Sequence, residues 1–242
     1  MENLRGINIK HEDLFWLRKL GTGRDATVYA VPGDKAYKVY KEPNKPNYKK
    51  VLEMIQKNNY DIKESHLPKC ALYIDGKFNG CVLDRIHGFQ IHKIFPALTR
   101  KQQVIILKKI VSAVKELTDH NIYPADLANT PFLPGKRSNV LLDYHLIPQL
   151  IDIDGSGAEY CDLKDNNNES FTHMALNMLI LDLMFGEPVL EDPEYSDMDY
   201  LLYRLTECGF DKYVSQKLVK YEANYKDLDK VIDEYATLKR VR

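Results

Sequence analysis

Residues 117–154 read LTDHNIYPADLANTPFLPGKRSNVLLDYHLIPQLIDID, and the fold turns on three side chains within them: Asp126, Asn139 and Asp152. Ser138-Asn139-Val-Leu-Leu begins a short apolar strand, and Gln149-Leu-Ile-Asp152 closes a second one. An amide and a carboxylate thirteen positions apart across such a hairpin can reach one ion. Mg²⁺ suits such a pair, because it takes a few carboxylate or amide oxygens and completes its shell with water and phosphates. Asp126 follows a helical pattern and either joins this chemistry or caps a turn.

Upstream, Val104, Leu107, Val111, Val114 and Leu117 fall at three- and four-residue steps, which predicts one long amphipathic helix from about Leu98. Downstream, Phe171 to Phe185 is apolar almost all round, as a helix buried inside a domain should be. Leu228, Val231, Ile232, Tyr235 and Leu238 repeat the amphipathic pattern. This half of the chain is expected to be mainly helical.

The first ninety residues have a different period. Leu14 to Leu20, Thr27 to Val31 and Lys35 to Tyr40 predict three antiparallel strands, the last after the turn at Pro32-Gly33-Asp34. Tyr48 to Lys57 has Val51, Leu52 and Ile55 at helical spacing, and Leu67 to Leu72 and Gly80 to Ile86 flank a turn at Asp75-Gly76. A five-stranded sheet with one helix is expected, with a boundary near Gly88.

Two features of this half bear on chemistry. Gly21-Thr-Gly23-Arg-Asp-Ala26-Thr-Val28 lies between two strands, where glycines let backbone N–H groups approach phosphate oxygens. Taken alone, the segment reads first as an ordinary turn. Lys38, in the middle of a strand, either faces inward and needs an anionic partner or points outward with Tyr37 and Val39 inside. Glu53 on the following helix is the expected counter-charge, with Glu64 as the fallback.

The 242 residues, 44% hydrophobic and 29% charged, suffice for a real core. Lys and Arg number 34 against 35 Asp and Glu, so no global basic field points to nucleic acid or an anionic membrane. Cys70, Cys81, Cys161 and Cys208 form no CxxC pair and suggest neither a zinc site nor a disulfide framework. The start, MENLRGINIKHEDLFW, lacks the apolar core of a signal peptide, and no apolar run approaches the length of a bilayer span, so a cytoplasmic location is expected.

The order of these parts resembles the protein kinase superfamily. Gly21, Gly23 and Val28 match its Gly-rich loop, with Ala26 in place of the third glycine, and Lys38 in AYKV matches its strand lysine. Val82 to Gly88 looks like the hinge between lobes, with Leu83 in the gatekeeper place and Asp84 to Ile86 offering backbone groups to adenine. Asp126 looks like the catalytic-loop aspartate, and Asn139 and Asp152 keep the usual spacing of the metal ligands.

The resemblance implies an α+β, two-lobed protein kinase-like fold. It has an N-terminal antiparallel sheet with one helix (1–87) and a larger, mainly helical C-terminal lobe (88–242), together forming one domain. It also implies an ATP- and Mg²⁺-dependent phosphotransferase, first of all a protein Ser/Thr kinase. Gly21, Gly23, Ala26, Val28, Leu83, Asp84 and Ile86 would bind nucleotide, and Lys38 held by Glu53 would position its phosphates. Asn139 and Asp152 would carry Mg²⁺, and Asp126 would orient the acceptor hydroxyl of a protein or a small molecule.

Several departures keep alternatives open. The familiar H-R-D reads Pro124-Ala125-Asp126, an insertion precedes Asn139 and makes Asn129 its rival, and D-F-G is replaced by Asp152-Ile153-Asp154. Asp154 is either a second metal ligand or a turn residue. The alternatives are a small-molecule kinase of the aminoglycoside or choline kinase type, and a pseudokinase acting as an interaction module.

Overall fold

The computed structural model describes residues 4–44, 46–124, 126–128, 138–153, 167–185 and 198–238. Strand β1 (Gly6–Ile9) is followed by a 3-10 helix (His11–Trp16), then β2 (Arg18–Thr22), β3 (Ala26–Val31), β4 (Lys35–Tyr40) and helix α1 (Pro46–Asn58). Strands β5 (Cys70–Ile74) and β6 (Lys77–Asp84) complete a six-stranded sheet of order β1-β5-β6-β4-β3-β2.

The expected all-antiparallel sheet of five strands is thus a mixed sheet of six. β1 is the addition and runs parallel to β5. It is fixed by bonds from the Ala71 N–H to the Arg5 carbonyl (3.0 Å) and from the Asp75 N–H to the Ile9 carbonyl (2.9 Å). β1 and β2 lie at opposite edges of the sheet, so the 3-10 helix carries the chain from one edge to the other. It contains Leu14 to Trp16, which the sequence pattern placed in a strand. Leu14 is buried, while Phe15 and Trp16 face water.

Beyond β6 come β7 (Gly88–Gln90), the short helix α2 (Ile91–Ile94) and α3 (Arg100–Asp119). Thr99 caps α3 by accepting from the Gln102 N–H, while the Gln102 side chain accepts from the Thr99 N–H (3.0 Å), so both exposed donors are satisfied. Strands β8 (Val140–Asp143) and β9 (Pro148–Leu150) then join β7 in a small antiparallel sheet. The helices α4 (Asn167–Phe185), α5 (Met198–Glu207), α6 (Lys212–Val219) and α7 (Tyr225–Thr237) follow.

The helical periodicities hold. Leu107, Val111, Val114 and Leu117 of α3 and Leu228, Val231, Ile232 and Tyr235 of α7 enter one core, as does nearly every described side chain of α4 from Ala175 to Met184. Burying each of the larger side chains contributes about 1.5–3 kcal/mol. One of the core's buried polar side chains is organised as follows: the Tyr235 hydroxyl donates to Gln103 Oε1 (2.9 Å), and Gln103 Nε2 donates to the Phe95 carbonyl (2.9 Å). Among the described residues no helix is long and apolar enough to cross a membrane.

The two halves meet through a short parallel bridge. The His66 N–H donates to the Leu150 carbonyl (2.8 Å), and the Leu150 N–H donates to that of Glu64 (2.9 Å). The segment after α1 is thereby tied to the strand that leads into Asp152. Within the large sheet β4 and β6 are in close register, and a Cβ on Gly80 would lie 1.9 Å from the Lys38 carbonyl oxygen. We expect Gly80→Ala to force the strands apart and to lower stability in urea unfolding by about 1–3 kcal/mol. An unchanged midpoint would contradict this packing.

Candidate functional site

Strand β4 decides which way Lys38 faces. Ala36, Lys38 and Tyr40 are all buried while Tyr37 and Val39 are half-buried, so the lysine is on the inward face with its side chain only 4% exposed. Its ammonium meets Asp152, with Nζ 2.5 Å from Oδ1. A hydrogen bond to a charged group is worth about 1.5–3 kcal/mol, and a buried ammonium without oxygen partners costs more than that. Asp152 reaches Lys38 from a backbone with φ of 62°, in the left-handed region that Asp enters more readily than most residues.

The counter-charge is therefore not the one expected. Glu53 is exposed on α1 and, among the described residues, takes part in no ion pair. The fallback, Glu64, lies 3.3 Å from the Lys109 ammonium. Helical spacing places Glu53 on the correct element but does not bring it to β4.

Asn139 is buried and holds the floor of the site together. Its Nδ2 donates to the Asp126 carbonyl (2.7 Å), its N–H donates to the Leu127 carbonyl (3.1 Å), and its own carbonyl accepts from the Ile151 N–H (2.9 Å). The backbones at Asp126, Asn139 and Asp152 are thus neighbours, as the hairpin reading requires. The rival Asn129 and Asp154 lie outside the described residues, as does Lys136, which follows the insertion and begins the Lys136-Arg-Ser-Asn139 stretch.

Lys38, Ile151 and Asp152 line a cavity of about 500 Å³, which Asp126 and Asn139 do not reach. Leu20, Gly21, Val28 and Ala36 wall it on the sheet side, Leu141 and Ile151 on the other, and Leu83 to Ile86 along the crossing segment. Gly23 and Ala26 close the β2–β3 turn through a bond from the Gly23 N–H to the Ala26 carbonyl (2.8 Å). The Lys41 ammonium donates to the Gly23 carbonyl (2.7 Å) from outside.

His66 is the site residue that sequence reasoning missed, since no motif or spacing marks it. Its ring lines the cavity, and Nε2 is hydrogen-bonded to the Asp84 carbonyl. A carbonyl only accepts, so Nε2 carries the hydrogen. Burial holds this ring below the usual histidine range; the Asp84 carbonyl and carboxylate oppose that shift, while the Lys38 and Lys69 ammonium groups add to it. Burial pushes the Asp84 carboxyl up, but Lys35 and Lys69 together bring it below the ordinary carboxylate range.

No family model matches the sequence, and no curated protein matches it. Among solved structures the chain is similar to the apo GRMZM2G135359 pseudokinase, with a TM-score of 0.64 and 13% identity over 99% of this chain and 97% of that one. The fold is protein kinase-like. The N-terminal sheet with α1 and the larger helical part are its two lobes, Leu83 to Ile86 cross between them, and a cleft of this kind is consistent with nucleotide binding in general.

The activity expected from the sequence is corrected here. A structure that the chain matches over nearly its whole length is that of a pseudokinase, and among the described residues no group of three or more His, Cys, Asp or Glu side chains could hold a metal ion. The pairing above agrees with this: Asp152 neutralises Lys38 directly. The assignments as kinase and transferase, whether of protein or of small molecules, are therefore dropped. The pseudokinase alternative is carried forward.

The lowered His66 pKa has a defined effect on stability. The unfolded ring, with a pKa near 6.5, takes up a proton before the folded one does, so stability is complete above about pH 6.5 and is lost as the pH falls through the depressed folded value. Thermal unfolding followed by circular dichroism should show the midpoint falling over that interval, and His66→Gln should flatten the fall. An equal slope in the variant would assign the effect to other groups.

Proposed function

We propose that the chain is a pseudokinase: a kinase-like fold, one domain over residues 1–242 with lobes at 1–87 and 88–242, that acts as an interaction module and transfers no phosphate. The observation carrying this reading is the direct contact of Lys38 with Asp152. The lysine that would hold nucleotide phosphates and the aspartate that would hold Mg²⁺ neutralise each other. Catalysis of phosphoryl transfer is positioning and electrostatic stabilisation, so a site whose charges are internally cancelled has little to offer the transferring group.

The residues present do not fit Mg²⁺ together with ATP as they are paired, because Asp152 would have to release an ammonium 2.5 Å away to take up the cation. We assign no reaction step to Gly21, Gly23 or Asp126.

An interaction role is supported by Phe15 and Trp16, the second 89% exposed, which project from a 3-10 helix anchored by buried Leu14. Trp and Phe side chains are enriched at protein contact surfaces. We further propose a protein partner and the cytoplasm as the compartment, where the thiols of Cys70, Cys81 and Cys208 would stay reduced.

The test is transfer of labelled γ-phosphate from ATP with Mg²⁺, to the chain itself and to generic acceptors, with Asp126→Ala in parallel. We expect no label above the protein-free background for either protein. Label on the wild type that disappears in Asp126→Ala would overturn the proposal.

A further inference from the structure

The cavity is lined by apolar side chains of both lobes, Val28 and Ala36 of the large sheet and Leu141 and Ile151 of the other lobe. Such a lining suits a ring whose apolar faces would be covered and whose polar edge would need donors and acceptors from the wall. Asp84, the last residue of β6, and the residue after it form that wall.

Two consecutive groups there are already engaged within the chain. The Asp84 carbonyl accepts from His66 Nε2, and the Arg85 N–H donates to the Asp34 carbonyl at 2.7 Å. His66 is an aromatic heterocycle carrying a ring N–H, and so presents to that carbonyl the same kind of donor that a heteroaromatic base would bring. His66 also lines the cavity and takes up room beside the carbonyl.

The segment that carries the ring is held in place. The His66 N–H is bonded to the Leu150 carbonyl at 2.8 Å, and the returning bond from the Leu150 N–H to Glu64 is 2.9 Å, so the backbone on both sides is tied to β9. Displacing the ring would break its bond to Asp84 and expose a half-buried imidazole next to the Lys38 and Lys69 ammonium groups.

We infer that His66 is a built-in competitor for the polar edge of the cleft and sets its ligand selectivity, weakening the binding of purine-type bases by holding one acceptor position of the Asp84 carbonyl and the space beside it. The inference concerns what the cleft admits. It stands apart from whether phosphate is transferred, because a base edge touches neither Lys38 nor Asp152.

Adenosine is the appropriate probe, since it has the base without phosphate and needs no metal. Its binding should be measured by calorimetric titration, without Mg²⁺, on the wild-type chain and on His66→Ala. The carbonyl released by the substitution should raise affinity by about tenfold or more, the yield of one recovered hydrogen bond. Equal affinity in the two proteins, or no binding by a folded His66→Ala, would overturn the inference. Should His66→Ala fail to fold by circular dichroism, His66→Asn, which withdraws the ring and keeps a polar side chain, decides by the same ratio. Label transfer that depends on Asp126 together with a raised affinity in His66→Ala would defeat the pseudokinase reading and leave this one standing.

Discussion

A lysine ammonium buried under a β-sheet has to be answered by negative charge, and in this protein the answer is Asp152. Strand alternation turns Lys38 inward, the close register with Gly80 and Cys81 of β6 keeps it there, and the ammonium reaches across the cleft to a carboxylate of the other lobe. Much of the site follows from that requirement. Asp152 adopts a left-handed backbone to meet the lysine, and β9 delivers it there through the bridge to residues 64–66. The hairpin of β8 and β9 is in turn held to the segment at Asp126 by Asn139.

The same pairing separates fold from function. A kinase-like arrangement of elements is shared by proteins with different activities, and fold alone does not carry chemistry. What distinguishes this chain is how its polar groups are used. Lys38, Asn139, the Asp84 carbonyl and the Arg85 N–H each have a partner within the chain. A site built this way is stable without a ligand, and any ligand has to pay for the bonds it displaces.

Much of the architecture was legible in the sequence because it rests on periodicity. The three-and-four spacing along α3 and α7 and the unbroken apolar run of α4 could be placed only on helices that share a core. Asn139 and Asp152 were legible as neighbours because a hairpin fixes their separation. Other features depend on contacts between distant segments and left no local signal. β1 is four residues long and is defined by its parallel pairing with β5, so nothing near Gly6 announces it. Leu14 to Trp16 is as apolar as a strand, yet it crosses the sheet as a 3-10 helix with one of those side chains buried.

The counter-charge to Lys38 was misread for a related reason. A helix glutamate fifteen positions on and an aspartate 114 positions away are equally plausible partners until the tertiary path is known, and Glu53 proves to face water. His66 shows the same limit, because its importance comes from meeting Asp84 and Leu150. The measurement that tests the account most directly is a crystal structure grown with Mg²⁺ and a non-hydrolysable ATP analogue. The account predicts that Lys38 Nζ stays on Asp152 with no metal between Asp152 and Asn139. A Mg²⁺ ion held by those two residues, with Lys38 moved onto the phosphates, would contradict it.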